Sequence, residues 1–333
     1  MRKQIFILAG VLLFVITILP SMIVIPFIEA SSSDPVGVET DETIETTTDV
    51  GEEPYISVMR TNTGEIEEIS LEQYVVSVVA SEVPAKFEIE AIKAQAVAAR
   101  TYIIEKIMHS TDEEYDVTDT VNHQVYKNYD ELREAWGVDY SWKINKITQA
   151  VNETRGEILT YEGNPITAAF FSTSNGYTEN AEDYWQNEIP YLKSVQSPWD
   201  EQSPEYMEQE IFQINEVTER LGLENAIQLE VGNITRTDSN RIREITINGK
   251  TFTGREIREK LNLRSNDFTI ELKGDHAIFT TRGFGHGVGM SQYGANGMAK
   301  EGRTYEDIVK HYYQGIDITN VDTVLGDVVS AMK

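Results

Sequence analysis

The sequence predicts an α+β fold: a mixed domain with a central alanine-rich helix and antiparallel strands, a small inserted α/β subdomain, and an N-terminal transmembrane helix. Three observations carry that reading. EIEAIKAQAVAARTYIIEKIM is rich in alanine and apolar on most sides, as suits a helix packed at the centre of a core. Between 204 and 275, short helical runs alternate with strand-like runs, IQLEVGNIT, REITING and FTIEL. Near the start, Ile5 to Ile28 carries no charge and is long enough to cross a bilayer.

Residues 1–4 hold Arg2 and Lys3, which the positive-inside rule places in the cytoplasm as a short tail. Residues 5–28 then form the anchor. Ile28-Glu29-Ala30 matches a signal-cleavage site only at its last position, so an uncleaved anchor is favoured. Cleavage near Ser31 is the open alternative. Residues 29–54 have no base, little apolar material and many Ser, Thr, Asp and Glu residues; they read as a disordered acidic linker.

The folded part runs over 55–333. The whole chain carries −27; removing the linker's nine acids and Arg2 and Lys3 leaves −20 for that part. So acidic a domain is not built to hold nucleic acid. With no cysteine, disulfides and thiolate metal sites are excluded.

A strand over Tyr55–Arg60 leads to a helix over Leu71–Glu82, where Leu71, Tyr74, Val75, Val78 and Val79 share one face. Pro84 biases Val83 away from helical geometry, so this helix stops near Glu82. The alanine-rich helix follows over Glu88–Met108. A loop with His123, Gln124 and Tyr126 precedes a helix over Lys143–Thr154. GEILTY and ITAAFFSTS read as strands joined by the Glu162-Gly163-Asn164-Pro165 turn, the second entering the polar turn Ser172–Tyr177. After the 204–275 insertion, RGFGHGVGMSQYGANGMA has glycines at 283, 285, 287 and 289, a spacing that fits neither a dinucleotide loop nor a phosphate loop. Alternating glycine instead lets a backbone pass close to other groups. Gln292 and Tyr293 then open a helix, and Thr304 with Asp307 caps a last one.

Several chemistries drop out. The five histidines make no H-E-x-x-H or close pair, and no G-x-S-x-G is present. Acid–base work by carboxylates remains, in a cleft of neutral polar and aromatic residues suited to sugars. Glu82 is the candidate acid. It ends an apolar helix, where the helix dipole is negative and the flanks withhold water; both disfavour ionisation. Arg100 sits among alanines, either reaching the surface or buried against a carboxylate. His286, between two glycines, reads equally as a hydrogen-bonded structural histidine or as a substrate contact.

SEVPAKFEIEAIKAQAVAARTY, HQVY, FFSTSNGYTE and GFGHGVGMSQYGANGMA occur in the order and spacing of the stage II sporulation protein D (SpoIID) family, which the chain resembles from Tyr55 to its end. The resemblance implies a membrane-anchored lytic transglycosylase that cuts peptidoglycan glycan strands during engulfment, outside the mother-cell membrane at the engulfing septum. It implies a partner amidase/endopeptidase (SpoIIP-like) and a multi-spanning membrane protein (SpoIIM-like). It puts the catalytic acid on Glu82 and substrate binding on Arg100, Gln124, Tyr126, Ser174, Asn175, Tyr177, His286 and Gln292. Zinc, bound through cysteine in some relatives, lacks those ligands here, and no cofactor is expected. Some relatives are amidase enhancers, so the rival reading is a non-catalytic, peptidoglycan-binding activator of a partner amidase.

Overall fold

The computed structural model describes residues 54–109, 114–120, 123–223 and 228–331. The expected tail over 1–4, the span over 5–28 and all but the last residue of the linker lie outside the described residues. Among the described residues no helix is long and apolar enough to cross a membrane.

The first strands, β1 (Tyr55–Met59) and β2 (Ile66–Ser70), form an antiparallel hairpin. The chain turns at once into α1 (Leu71–Glu82), which ends where Pro84 requires: Val83 is extended, with φ −125° and ψ 147°. The alanine-rich helix α2 (Ile89–His109) follows. Ala94, Ala96, Ala98 and Ala99 are fully buried, and such small side chains let neighbouring elements approach from several sides.

Strand β3 (Val117–Thr118) lies parallel to β1. Next come α3 (Tyr129–Trp136) and α4 (Tyr140–Glu153). The sequence reading missed α3, although Asn128 and Glu131 form a complete capping box at its start. α4 begins three residues before the expected Lys143.

Strand β4 (Glu157–Tyr161) makes a tight hairpin with β5 (Asn164–Pro165) through Glu162 and Gly163, both at positive φ. The expected continuous second strand does not form. After Pro165 the backbone donors and acceptors are taken elsewhere: Thr167 N–H by the Tyr191 hydroxyl, and Ala169 C=O by Met290 N–H and the Tyr313 hydroxyl. Only β6 (Phe170–Phe171) is strand-like there. A short helix, α5 (Ala181–Trp185), follows.

The insertion comprises β7 (Met207–Gln213), α6 (Ile214–Leu221), β8 (Val231–Arg236), β9 (Ile242–Ile247), β10 (Lys250–Thr253), α7 (Gly254–Leu261), β11 (Phe268–Lys273) and β12 (His276–Arg282). Its strands form two antiparallel sheets, β11-β12-β7 and β10-β9-β8. It has its own core, in which Val217, Ile245, Ile257 and Phe279 are fully buried. The expected boundary at 275 is seven residues short, because β12 pairs with β7 along its whole length, Arg282 opposite Met207. The chain therefore enters and leaves the insertion at one place.

The last elements are β13 (Met290–Ser291), α8 (Gln292–Lys300), α9 (Tyr305–Tyr312), β14 (Asp317–Asn320) and α10 (Val321–Ala331). Helix α2 packs against α1, α4, α8, α9 and β4, so it is central as expected. Strand β14 pairs antiparallel with β4, while β13 pairs parallel with β6. The fold is thus α+β, antiparallel except for the short β1–β3 and β6–β13 pairs.

Between β12 and β13 runs the glycine-rich loop. Gly283, Gly285, Gly287 and Gly289 all have positive φ. At Gly289 a Cβ would lie 2.0 Å from the Ala169 carbonyl oxygen, and at Gly287 2.6 Å from the buried Arg241 guanidinium carbon. Only glycine allows the loop to pass between the main body and the insertion at these distances.

Candidate active site

Glu82 is the last residue of α1, and its side chain points toward segments distant in sequence. Its Oε1 accepts the Val125 N–H at 2.9 Å, and the Gln292 side chain donates to the same carboxylate. Burial pushes the Glu82 carboxyl above its ordinary value, and these two hydrogen bonds pull it partly back. Of the two causes expected from sequence, the helix dipole and the water-excluding apolar flanks, it is the exclusion of water that dominates.

Two cavities of about 570 Å³ each share Glu82, Phe170 and His286 in their walls. On one side stand Phe171, Glu205, Arg258, Phe284, Gln292 and Tyr293. On the other stand Tyr102, Gln124, Trp185 and Arg255. Together they form one aromatic-lined cleft with a carboxyl at its centre. Among the described residues no cluster of three or more His, Asp or Glu side chains is placed to hold a metal ion.

Of the nine residues singled out from sequence, Glu82, Gln124, His286 and Gln292 meet in this cleft. Gln124 is almost wholly buried at its edge, accepting a hydrogen bond from Tyr74 at 3.0 Å. His286 is held at both nitrogens. Nε2 lies 3.0 Å from the Phe170 carbonyl, which can only accept, and Nδ1 lies 3.0 Å from the Val288 N–H, which can only donate. The ring is therefore neutral with its proton on Nε2. Burial, reinforced by the nearby Arg258 charge, lowers its pKa to about 4. Of the two sequence readings, the structural one fits: His286 walls the cleft and has no free nitrogen for substrate.

That depression has a sign. The unfolded histidine binds a proton below about 6.5 while the folded one resists until about 4, so this stabilising contribution is lost as pH falls through that window. His286→Gln should flatten the fall of Tm between pH 6.5 and 4, measured against the parent protein.

The other five residues are not in the cleft. Arg100 is fully buried, and its Nε and Nη2 bind the two Glu72 oxygens at 2.8 and 2.6 Å. It also donates to the Glu157 and Val151 carbonyls. Glu72 is ten residues before Glu82 on α1, roughly 15 Å along the helix axis. The expected substrate contact is therefore replaced by a structural pair. Tyr126 is buried, with its hydroxyl on Glu67 and its ring stacked on Tyr74. Ser174 is buried and donates to Asp200, a fully buried carboxylate that also accepts from Ser197 and Ser291. Asn175 ties the main body to the insertion through the Ser239 carbonyl and Asp267. Tyr177 is exposed and lines neither cavity.

The family model for Stage II sporulation protein matches residues 59–161, which include Glu82 and Arg100. Over nearly its full length the chain is 48% identical to Stage II sporulation protein D of Bacillus amyloliquefaciens, covering 98% of both chains. The chain belongs to the stage II sporulation protein D family. The family protein of Bacillus subtilis (strain 168) is 49% identical over 97% of this chain and 98% of its own. The amidase enhancer of the same organism is 30% identical over 73% of this chain but only 40% of its own length.

The family motifs thus divide into two kinds. Some, such as SEVP and SQY, carry cleft residues; others, such as Ser174 and Asn175 of STSNG, fix the scaffold behind them. The cleft residues missed from sequence include Tyr102, Phe170, Phe171, Trp185, Glu205, Arg255, Arg258, Phe284 and Tyr293. Tyr102, Phe170, Phe171, Phe284 and Tyr293 lie inside quoted motifs, whereas Arg255 and Arg258 come from α7 of the insertion, where no pattern marked them.

Proposed function

We propose that this chain is a peptidoglycan lytic transglycosylase that cuts glycan strands between N-acetylmuramic acid and N-acetylglucosamine during septal wall remodelling in engulfment. The observation that carries the reading is the Glu82 carboxyl, whose hold on a proton is strengthened by burial, at the centre of a cleft large enough for sugar rings. Protonated Glu82 donates to the glycosidic oxygen as the bond to the muramic acid C1 breaks. The resulting carboxylate takes the proton from that residue's own C6 hydroxyl, whose oxygen closes on C1. The 1,6-anhydro ring forms and Glu82 regains its proton, so one carboxyl serves both steps. Most glycosidases need two. The other carboxylate in the wall, Glu205, is held in an ion pair with Arg264 and is less suited to activate water. The same reading places the folded part outside the cell membrane on an N-terminal anchor, beside an amidase and a multi-spanning partner.

Purified protein acting on glycan strands in ¹⁸O-water should give 1,6-anhydro-N-acetylmuramic acid ends with no label, read by mass. Labelled reducing ends would mean hydrolysis and would bring in Glu205. The likeness to an amidase enhancer supports a second reading, a wall-binding activator. No cleavage by the pure protein, with a partner amidase still accelerated, would select it.

A further inference from the structure

A third cavity, of about 330 Å³, adjoins the Glu82 cleft, and Tyr293 lines both. Three chain segments run side by side from one to the other. Glu82 and Pro84 face the cleft, while Lys86 and Phe87 face the third cavity. Gln292 at the start of α8 faces the cleft, while Lys300 at its end faces the third cavity. Glu205 faces the cleft and Pro204 the third cavity. The two spaces are therefore one trough, narrowed at Tyr293.

The far part of the trough has a distinct chemistry. Trp199, Tyr293 and Phe87 give it aromatic walls, the last two edge to face with ring centres 5.0 Å apart. Lys86 and Lys300 line the same space; both residues are exposed, and neither is ion-paired among the described residues. The chain has 55 acids against 28 bases. Two lysines without an ion-pair partner beside an aromatic cavity, in so acidic a protein, suit an anionic occupant. A glycan strand lying across Glu82 must leave the cleft in both directions, and each muramic acid along it whose stem peptide has been removed bears a free lactyl carboxylate.

We propose that this third cavity is a distal subsite for the glycan strand, seating a carboxylate-bearing amino sugar against the aromatic walls with its carboxylate on Lys86 and Lys300. The proposal rests on reading the Glu82 cleft as a glycan site, and its test is kept separate from the chemistry there. Full-length Glu82→Gln protein, with and without Lys86→Gln and Lys300→Gln, is titrated with glycan oligosaccharides of increasing length. Affinity should rise with length in the single variant. The triple variant should lose roughly three- to tenfold on long strands at low salt, the scale of two exposed ion pairs. That loss should shrink at high salt and vanish on strands whose carboxyl groups have been reduced to alcohols.

Equal affinity of the two proteins for long strands, or a loss that persists on carboxyl-reduced strands, overturns the subsite. If the wild-type protein makes no anhydro ends yet length- and lysine-dependent binding holds, the role of Glu82 falls and the subsite stands. If anhydro ends form and the lysines change nothing, the reverse is true.

Discussion

Glu82→Gln should lower the rate of glycan cleavage by ~10²–10⁴-fold, the usual loss when a positioned acid is removed. The substitution keeps the shape of the side chain and an oxygen for the Val125 N–H, while removing the acidic proton. The fold should tolerate it. Burial raises the folded pKa of Glu82, so the wild-type protein loses stability as pH rises from the ordinary glutamate value through that raised value. Glutamine has no such cost. The variant should therefore match the wild type in acid and be the more stable of the two at neutral pH, as read by Tm across a pH series. A dead variant with raised neutral Tm is the signature of a group placed for chemistry at the expense of stability. Wild-type rates in the variant would move the acid to another carboxyl of the cleft wall, with Glu205 the first to test.

Arg100→Ala should cost about 3–5 kcal/mol, because it removes one side of a buried pair in which both Glu72 oxygens accept from the guanidinium. That is a large share of the roughly 5–15 kcal/mol by which a folded domain is stable. The damage should be global. Arg100 joins α1, α2, the end of α4 and the start of β4, through Glu72 and the Val151 and Glu157 carbonyls. Replacing both Arg100 and Glu72 by well-packed apolar residues should recover much of the loss, since the pair itself is costly to bury. Denaturant midpoints of the single and double variants measure this. Kinetics on the fraction still folded decide between the two roles read from sequence: an unchanged KM for glycan fits a scaffold residue, and a KM raised tenfold would return Arg100 to the substrate.

Much of the site was legible because backbone rules act locally. Pro84 stops α1 at Glu82 whatever surrounds it, and the alternating glycines announce a backbone passing close to its neighbours. What those rules could not give was direction. Arg100, Tyr126 and Ser174 belong to the family motifs as firmly as Glu82 does, yet each turns inward to a partner set by tertiary packing: Glu72, Glu67 and Asp200. A one-dimensional pattern marks a constrained residue without saying whether substrate or scaffold constrains it. The extent of the insertion was misjudged for a similar reason. His276–Arg282 alternates buried and half-buried residues like any strand, and only its pairing with Met207–Gln213 assigns it. Arg258 carried no signal, because its value lies in the cavity it faces.

The acid and its surroundings come from opposite ends of the folded chain. Gln292, which donates to the Glu82 carboxylate, also reaches Gln95, a contact that spans 197 positions of sequence. A nascent chain still lacking its C-terminal quarter already contains the would-be acid. It lacks the glycine loop, α8 and the part of the cleft wall that they supply. Until those residues are made, Glu82 lacks the Gln292 hydrogen bond and the side of the cleft formed by Phe284, His286 and Tyr293. A copy that ends before the glycine loop therefore carries the acid without the complete cleft around it.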